Sequence, residues 1–438
     1  MATELFGRLE REDLDRAVLV HIDFQQESDR EELEEFKELV DSAGAEVCEL
    51  ITAKRQTIDP KYFVGKGKAE EIKQAVETHE ADVVIVNHAL SPAQERNLEQ
   101  LIECRVLDRV GLILDIFAQR ARSHEGKMQV ELAQLRHMST RLVRGWSHLD
   151  KQKGGVGMRG PGETQLESDK RLIQQRIKSL EAKIDKARQQ RNLGRRSRKK
   201  SETPTVTIVG YTNAGKSTLF NQLTAADVYA EDRLFATLDA TLRKLRLPGA
   251  GEIVLADTVG FIRHIPHDLV AAFRSTLEET SEADLLIHLV DASDPLREEK
   301  IADVQSVIEE VGAEQVPQLL VMNKIDALSP PKKPMLEKDE EGMPKRVWVS
   351  AQQNLGMPLL LEAIGAFFKG RFVTIELTLE MTAGKKRAEL YQLGQVLSER
   401  YDDAGNSHFM MQLSQQAWEC VQQWPEVIFA AIKEEKLS

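Results

Sequence analysis

Apolar positions recur along this chain with two different periods, and the places where the period changes mark out its parts. Between residues 17 and 110 short apolar runs alternate with helical patterns: 17–24, 46–51 and 82–87 read as strands, while 31–40 and 69–77 repeat at helical spacing. A further helix is expected to open at Ser91-Pro92, because the Ser side chain accepts from an orphan N–H and Pro at the first turn has no donor to lose. Such alternation predicts a small α/β unit. The spacing then lengthens. Met128, Leu132, Leu135, Ser139, Leu142, Trp146 and Leu149 step by four and three, and Ile173, Ile177, Leu180, Ile184 and Ala187 repeat the pattern. Two matching seams around a break predict a long antiparallel helical hairpin, its second helix capped by Thr164 with Glu167. From 204 to 369 buried strand runs alternate with helices, as in a mostly parallel sheet wrapped by helices. Within that stretch, 329–345 is charged and Pro-rich and is expected as a surface loop. A last unit is expected to hold a strand at 372–379, a helix near 390–399, a strand at 408–413 and a final helix.

The expected fold class is therefore α/β with four parts. These are an N-terminal α/β subdomain at 1–116, the hairpin at 117–200, a nucleotide-binding domain at 204–369 and a small α+β domain at 371–438.

Charge sharpens this division. The chain carries −12 overall, yet 117–200 holds 22 Lys and Arg against 8 Asp and Glu, a local balance of +14. A basic block inside an acidic protein is an electrostatic footprint for a polyanion, whereas a merely solvated helix face mixes both signs. The break in the hairpin, residues 154–162, is glycine-rich, with Lys151 and Lys153 at its base and Arg159 within it. Its Gly155-Val-Gly-Met-Arg-Gly160 matches a dinucleotide fingerprint in letters only, since a helix precedes it where that fingerprint needs a strand. A thin Arg-bearing tip suits a narrow RNA-lined space; a plain helix–helix link is the alternative, but it needs fewer residues and fewer glycines.

Composition adds exclusions. Hydrophobic content of 41% and charged content of 30% are those of an ordinary soluble protein. Cys48, Cys104 and Cys420 stand singly, without disulfide or zinc spacing. No signal-peptide core or membrane-length apolar run occurs, so a cytoplasmic protein without membrane insertion is expected, acting as a monomer.

The chemistry concentrates after residue 205. A β-branched run leads into Gly210, Tyr211, Thr212, Asn213, Ala214, Gly215, Lys216 and Ser217, and a helical pattern follows. That is the strand–loop–helix setting of a phosphate-binding loop. Its glycines let backbone N–H groups face the phosphates, Lys216 reaches the β- and γ-phosphates, and the Ser217 hydroxyl suits Mg²⁺. Beyond a strand run come Asp257, Thr258, Val259 and Gly260, where the acid supports the ion and the Gly N–H meets the γ-phosphate. After the run 316–322 stand Asn323, Lys324, Ile325 and Asp326. A carboxylate there accepts from guanine N1–H and N2–H₂, donors that adenine lacks, and a site built for them discriminates by ~10⁴–10⁵. Ser350 and Ala351 follow the run 346–349 and offer backbone to guanine O6. The order of these motifs points to GTP and GDP. Between loop and acid lie Phe235, Ala236, Thr237, Leu238 and Asp239. Thr237 is the candidate second Mg²⁺ ligand and GTP-dependent switch; Thr241 competes with it but reads better as an ordinary strand residue. Lys216, Thr237 and Gly260 are the candidate catalytic residues. Phe261 stands where Ras-like enzymes place a water-orienting Gln, so hydrolysis alone is expected to be slow. Asn213 is a candidate ligand for K⁺, with a loop-stabilising role as the equal alternative.

With these motifs the chain resembles an HflX-type GTPase. Tyr62-Phe-Val-Gly-Lys-Gly-Lys68, Leu90-Ser-Pro-Ala-Gln-Glu-Arg96, Asp115-Ile-Phe-Ala-Gln-Arg120 and Arg159-Gly-Pro-Gly-Glu-Thr-Gln-Leu-Glu167 extend the resemblance over nearly the whole chain. It implies a GTPase that binds the large ribosomal subunit, stimulated by it, with a role in splitting or rescuing stalled ribosomes under stress or in subunit assembly. It also implies nucleotide contacts by the motifs quoted above. The competing function is a regulatory GTPase acting on a protein or membrane-protease partner, with the hairpin as a spacer. A spacer needs neither a +14 balance nor a glycine-rich tip.

Overall fold

The computed structural model describes residues 16–24, 29–142, 165–200, 203–224, 234–235, 241–247, 251–262, 280–369 and 371–432. They form two compact units. One comprises the described residues up to Arg188 together with Leu234 and Phe235; the other holds the remainder.

In the first unit four parallel strands, β1 (Arg16–Asp23), β2 (Glu46–Lys54), β3 (Val83–Val86) and β4 (Arg105–Asp108), lie in the order β2-β1-β3-β4. The connections are helices α1 (Asp29–Ala43), α2 (Lys66–His79) and α3 (Pro92–Ile102), followed by α4 (Arg109–Arg120). Strands β1 and β3 are buried along almost their whole length, which is why they read as apolar runs rather than alternations. Ser91 caps α3 as its sequence predicts: its hydroxyl accepts from Gln94 N–H and the Gln94 side chain accepts from Ser91 N–H, with Pro92 in the first turn. Helices α5 (His124–Leu142) and α6 (Gln165–Lys200) carry the expected seams. Met128, Leu132 and Leu135 of one pack with Ile173, Ile177 and Leu180 of the other. Ion pairs Arg176–Glu131 and Arg136–Glu181 flank this core. The end of α5 is held by Arg141, whose guanidinium donates to Asp108 Oδ2 at 2.6 Å and to Glu95 Oε2 at 2.5 Å. The glycine-rich break, Thr164 and Trp146 lie outside the described residues.

The second unit contains a seven-stranded sheet of order β10-β11-β9-β8-β5-β7-β6. Its strands are β5 (Thr205–Gly210), β6 (Thr241–Leu247), β7 (Gly251–Asp257), β8 (Leu285–Asp291), β9 (Gln318–Asn323), β10 (Met335–Lys338) and β11 (Pro344–Trp348). The five central strands are parallel, and only the edges β6 and β10 run antiparallel to their neighbours. Helices α7 (Lys216–Thr224), α8 (Arg297–Glu310) and α9 (Met357–Phe367) complete the layers. The expected surface loop at 329–345 is corrected here: Met335–Lys338 pairs with β11 as an edge strand. Four residues of pairing inside a charged, Pro-rich stretch leave almost no apolar alternation to read.

A second sheet in this unit has the order β13-β14-β12-β15 and is antiparallel throughout. It is built from β12 (Phe372–Leu379), β13 (Gly394–Tyr401), β14 (Ser407–Ser414) and β15 (Val427–Ile432), with α10 (Gly384–Leu393) and α11 (Gln415–Val421). The helix expected near 390–399 therefore ends at Leu393, and the residues after it pair with β14 as a strand. The chain also returns in β15 after the last helix, which the sequence reading lacked. Arg371 joins the two sheets: its guanidinium donates to Asp284 Oδ1 at 2.7 Å, while Asp284 Oδ2 accepts from Thr205 N–H.

Candidate functional site

The parallel strands β5, β7, β9 and β11 all end on one edge of the large sheet, and every described nucleotide motif of the second unit follows one of those ends. In open α/β sheets ligands bind at this edge, in the crevice outside the carboxyl ends of the strands. Strand β5 ends at Gly210, whose φ of 154° and approach to the Leu289 carbonyl leave no room for a side chain. Gly215 has φ 91° and lies against the Asn323 side-chain amide, where a Cβ would collide. These two glycines are thus required by space as well as by conformation. Asn213 also has a left-handed backbone, φ 59°, and its side chain is exposed. Asn tolerates that conformation better than most residues, which gives it a structural reason to be there.

Lys216 is buried at 7% exposure, and its ammonium donates to the Tyr211 carbonyl at 2.7 Å. Burial pulls its pKa down to about 8, an effect partly opposed by the Asp257 carboxylate. The Ser217 hydroxyl donates to Asp257 Oδ2 at 3.1 Å, and Asp257 is fully buried at the end of β7. A hydroxyl beside a buried carboxylate is a pair of hard oxygen donors, which fits Mg²⁺ rather than a soft metal. Thr258 turns away, donating its hydroxyl to the Ile208 carbonyl at 2.6 Å. Val259 is also buried.

Gly260 lies directly over the loop: a Cβ there would stand 2.8 Å from Thr212 Cγ2 and 3.0 Å from Lys216 Nζ. Phe261 is tied to the loop backbone from both sides. Its N–H donates to the Gly210 carbonyl at 3.1 Å, and its carbonyl accepts from Thr212 N–H at 2.6 Å. The ring is 2% exposed, so it offers nothing polar to a water.

The other half of the site is organised by Asn323. Its side-chain NH₂ donates to the Ala214 carbonyl at 2.9 Å and its Oδ1 accepts from Ala351 N–H at 2.9 Å, which fastens the phosphate loop to the 350–351 turn. Sequence reading missed this bridge, because it joins residues 109 and 28 positions apart. It also places the Ala351 N–H on Asn323 rather than leaving it open. Ser350 Oγ accepts from Gln353 N–H, closing the turn. Lys324 sits at φ 60° with its ammonium 2.8 Å from Asp291 Oδ2. Ile325 is buried beneath it. Asp326 follows in a single 3₁₀ turn, and its Oδ1 is shielded from solvent with no hydrogen-bond partner among the described residues. A buried carboxylate oxygen without a donor is costly unless a ligand supplies one. Lys300, which the sequence reading did not single out, stacks its ammonium 4.8 Å from the Tyr211 ring centroid.

Not every candidate gathers here. Ala236, Thr237, Leu238 and Asp239 lie outside the described residues. Thr241 is the first residue of β6, the ordinary strand role expected for it. Phe235 belongs to the first unit, its ring packed edge-on against Phe117 with centroids 4.7 Å apart.

A strand–loop–helix phosphate cradle at the edge of a parallel sheet, with an Asn-Lys-x-Asp turn beside it, defines a P-loop GTPase. Family profiles match in three stretches: "GTP-binding GTPase N-terminal" over residues 30–118, "GTP-binding GTPase Middle Region" over 120–198 and "50S ribosome-binding GTPase" over 205–324. The chain is 55% identical over 404 residues to the GTPase HflX of Escherichia coli (strain K12), covering 92% of this chain and 95% of that protein. It is 48% identical over 397 residues to the GTPase HflX of Caldanaerobacter subterraneus subsp. tengcongensis, covering 90% of each. A crystal structure of a GTP-binding protein from the hyperthermophilic archaeon Sulfolobus solfataricus in complex with GDP is similar at 25% identity and a TM-score of 0.43, covering 81% of this chain and 98% of that one. The chain belongs to the HflX family of GTPases.

Proposed function

We propose that this GTPase works on the large ribosomal subunit, coupling GTP binding and hydrolysis to splitting, rescue or assembly of ribosomes under stress. In this reading the loop from Gly210 to Ser217 holds the phosphates, with Lys216 on the β- and γ-phosphates. Ser217 and Thr237 ligate Mg²⁺, Asp257 supports the ion, and the Gly260 N–H meets the γ-phosphate. When bound, the ion neutralises charge on the phosphate oxygens. Asn323 sets the distance between phosphate loop and base turn, and Asp326 takes the guanine edge. Phe261 leaves the attacking water unoriented, so turnover is slow until the ribosome completes the site. The basic 117–200 region engages ribosomal RNA, and the small C-terminal sheet docks. The family description "50S ribosome-binding GTPase" and the +14 balance of residues 117–200 support the ribosomal part.

The observation that carries the nucleotide assignment is the buried, partnerless Oδ1 of Asp326. Guanine N1–H and N2–H₂ supply the donors it lacks, and adenine does not. Asp326→Asn reverses the hydrogen-bonding sense at that point, since the amide offers a donor where guanine also donates. Competition binding with labelled GTP is expected to show preference moving from guanine to xanthine nucleotides. Guanine preference retained at full strength would refute the assignment.

A further inference from the structure

The charged, Pro-rich stretch that follows the Asn-Lys-x-Asp turn is fastened back onto that turn. Ile325 N–H donates to the Val349 carbonyl at 3.3 Å, and the Ile325 carbonyl accepts from Lys332 N–H at 3.2 Å. The residue before Asp326 is thus pinned on one side by the end of β11 and on the other by the stretch itself. Two residues on, Pro334 lies against Gly356, which opens α9: a Cβ on Gly356 would stand 3.0 Å from Pro334 Cβ and 3.1 Å from the Trp348 carbonyl. The Lys332 ammonium sits over the Trp348 ring, 3.0 Å from its centroid. That ring is fixed in turn. Its indole N–H donates to Glu337 Oε1 of β10 at 2.7 Å, and the other Glu337 oxygen pairs with Arg346 at 3.6 Å. Trp348 and Leu328 both pack against the small core of Val290, Ala292 and Met322, the last of which precedes Asn323.

We infer that Lys332, Trp348 and Glu337 are positioning residues for guanine specificity: they hold the turn 325–327 so that the Asp326 carboxylate meets the base edge. The inference rests on reading Asp326 as the acceptor for guanine N1–H and N2–H₂. A carboxylate that accepts from two donors on one rigid edge tolerates little rotation, because a hydrogen bond weakens steeply as its angle closes toward ~120°. The turn does not supply that precision by itself. It is a single 3₁₀ turn of three residues with no side-chain cap, entered through Lys324 at φ 60°. Hydrogen bonds in such turns have poorer geometry than those of an α-helix. On the entry side Lys324 is tied to Asp291, and on the exit side Lys332 closes the loop. An ammonium over an indole face is attracted by the ring's quadrupole, and the attraction grows as the pair is desolvated. Lys332 and Trp348 are both half-buried. The edge strand β10 then has a use beyond extending the sheet: it brings Glu337 to the indole N–H and keeps the ring's face toward Lys332.

The test measures the affinity of the full-length protein for GDP and for IDP, whose base keeps N1–H but lacks the N2 amine. Lys332→Met removes the ammonium and keeps the stem, Lys332→Arg restores a cation over the ring, and Trp348→Phe deletes the N–H that Glu337 accepts. Lys332→Met is expected to lower the GDP-to-IDP preference by about threefold or more, within the range of a cation–π contact. A carboxylate that swings off the base edge no longer gains from the N2 amine. Trp348→Phe should shift the preference the same way, and Lys332→Arg should return it to the parent value. Turnover at saturating GTP should stay at the parent rate with KM raised, because the phosphate cradle is untouched. A pocket that is merely loosened weakens both nucleotides by one factor, so an unchanged ratio in Lys332→Met overturns the inference. Should Trp348→Phe fail to fold, Lys332→Met decides alone. Asp326→Asn in the same assay tests the underlying reading. If it abolishes the preference while Lys332→Met keeps it, the guanine acceptor stands and the positioning role falls. If Asp326→Asn itself keeps the preference, the acceptor reading falls and the inference with it.

Discussion

Lys216 shows how one buried side chain links nucleotide binding to proton uptake. Its ammonium is held by the Tyr211 carbonyl in a desolvated pocket, and burial brings its pKa to about 8. An unfolded lysine titrates near 10.4, so between about pH 8 and 10.4 the unfolded chain binds more protons and stability rises with pH. The burial cost is thus fully present below pH 8 and is relieved across that window. Phosphate oxygens reverse the preference, because they favour the ammonium. Nucleotide binding above pH 8 should therefore draw in a proton, and affinity should fall as pH rises. Calorimetric titration with GDP at pH 8.5, in two buffers of different ionisation enthalpy, is expected to show uptake of roughly half a proton or more. No uptake would mean that Lys216 stays charged whether or not nucleotide is bound. The residue was legible as a phosphate contact from its motif; its depressed pKa was not, since burial depends on tertiary neighbours such as Gly260, which lies against its ammonium from 44 positions away.

At the scale of elements, reading succeeded where a local signal is self-sufficient and failed where pairing decides. The cap at Ser91 needs only Ser91, Pro92 and Gln94, three neighbours on one turn, and it formed as expected. Strand β13 is the opposite case. Residues 390–399 contain good helix formers, yet Gly394 ends α10 and the chain continues as Gln395 to Tyr401 along β14. Gly394 is extended there, with φ −170°, so its need for glycine is steric and not conformational: a Cβ would collide with the Gln412 carbonyl and approach Leu413 Cδ2. Gly394→Val should lower stability by about 1–3 kcal/mol, the usual cost of forcing extra atoms into a packed place. Thermal unfolding monitored by circular dichroism checks this, and a melting temperature equal to the parent's would show that the β13–β14 pair can separate at no cost.

On the scale of the whole molecule, charge separates the working parts. The 117–200 region carries +14 in a chain of −12, so its attraction to a polyanion works against the field of the rest of the protein. Ribosome binding is therefore expected to depend on salt through phosphate contacts. Neutralising Lys151, Lys153 and Arg159 together should weaken binding to large subunits. The log–log salt slope should become shallower by about two, at roughly −0.7 to −0.9 per lost phosphate contact. Sedimentation with purified large subunits across a salt series measures it. GTP affinity should survive, because the phosphate cradle lies elsewhere in the chain, while ribosome-stimulated turnover falls. Full stimulated turnover in that variant would return the spacer reading of the hairpin to first place.

What the sequence determined by itself was whatever is written in consecutive residues. Apolar runs marked strands such as β1, β3, β5, β7 and β9, because a strand buried on both faces must be largely apolar. The spacing of glycines around Lys216 fixed the phosphate loop, because only glycine permits those backbone angles beside a ligand. The Asn-Lys-x-Asp turn fixed guanine as the base. Only the tertiary structure decided the rest: that Asn323 bridges Ala214 to Ala351, that Phe261 closes on the loop backbone, that β10 and β13 are strands, and that Phe235 sits against Phe117. Each of these is a contact between residues far apart in the chain. Its free energy exists only once the fold has brought both partners together, and no local pattern in the sequence records it.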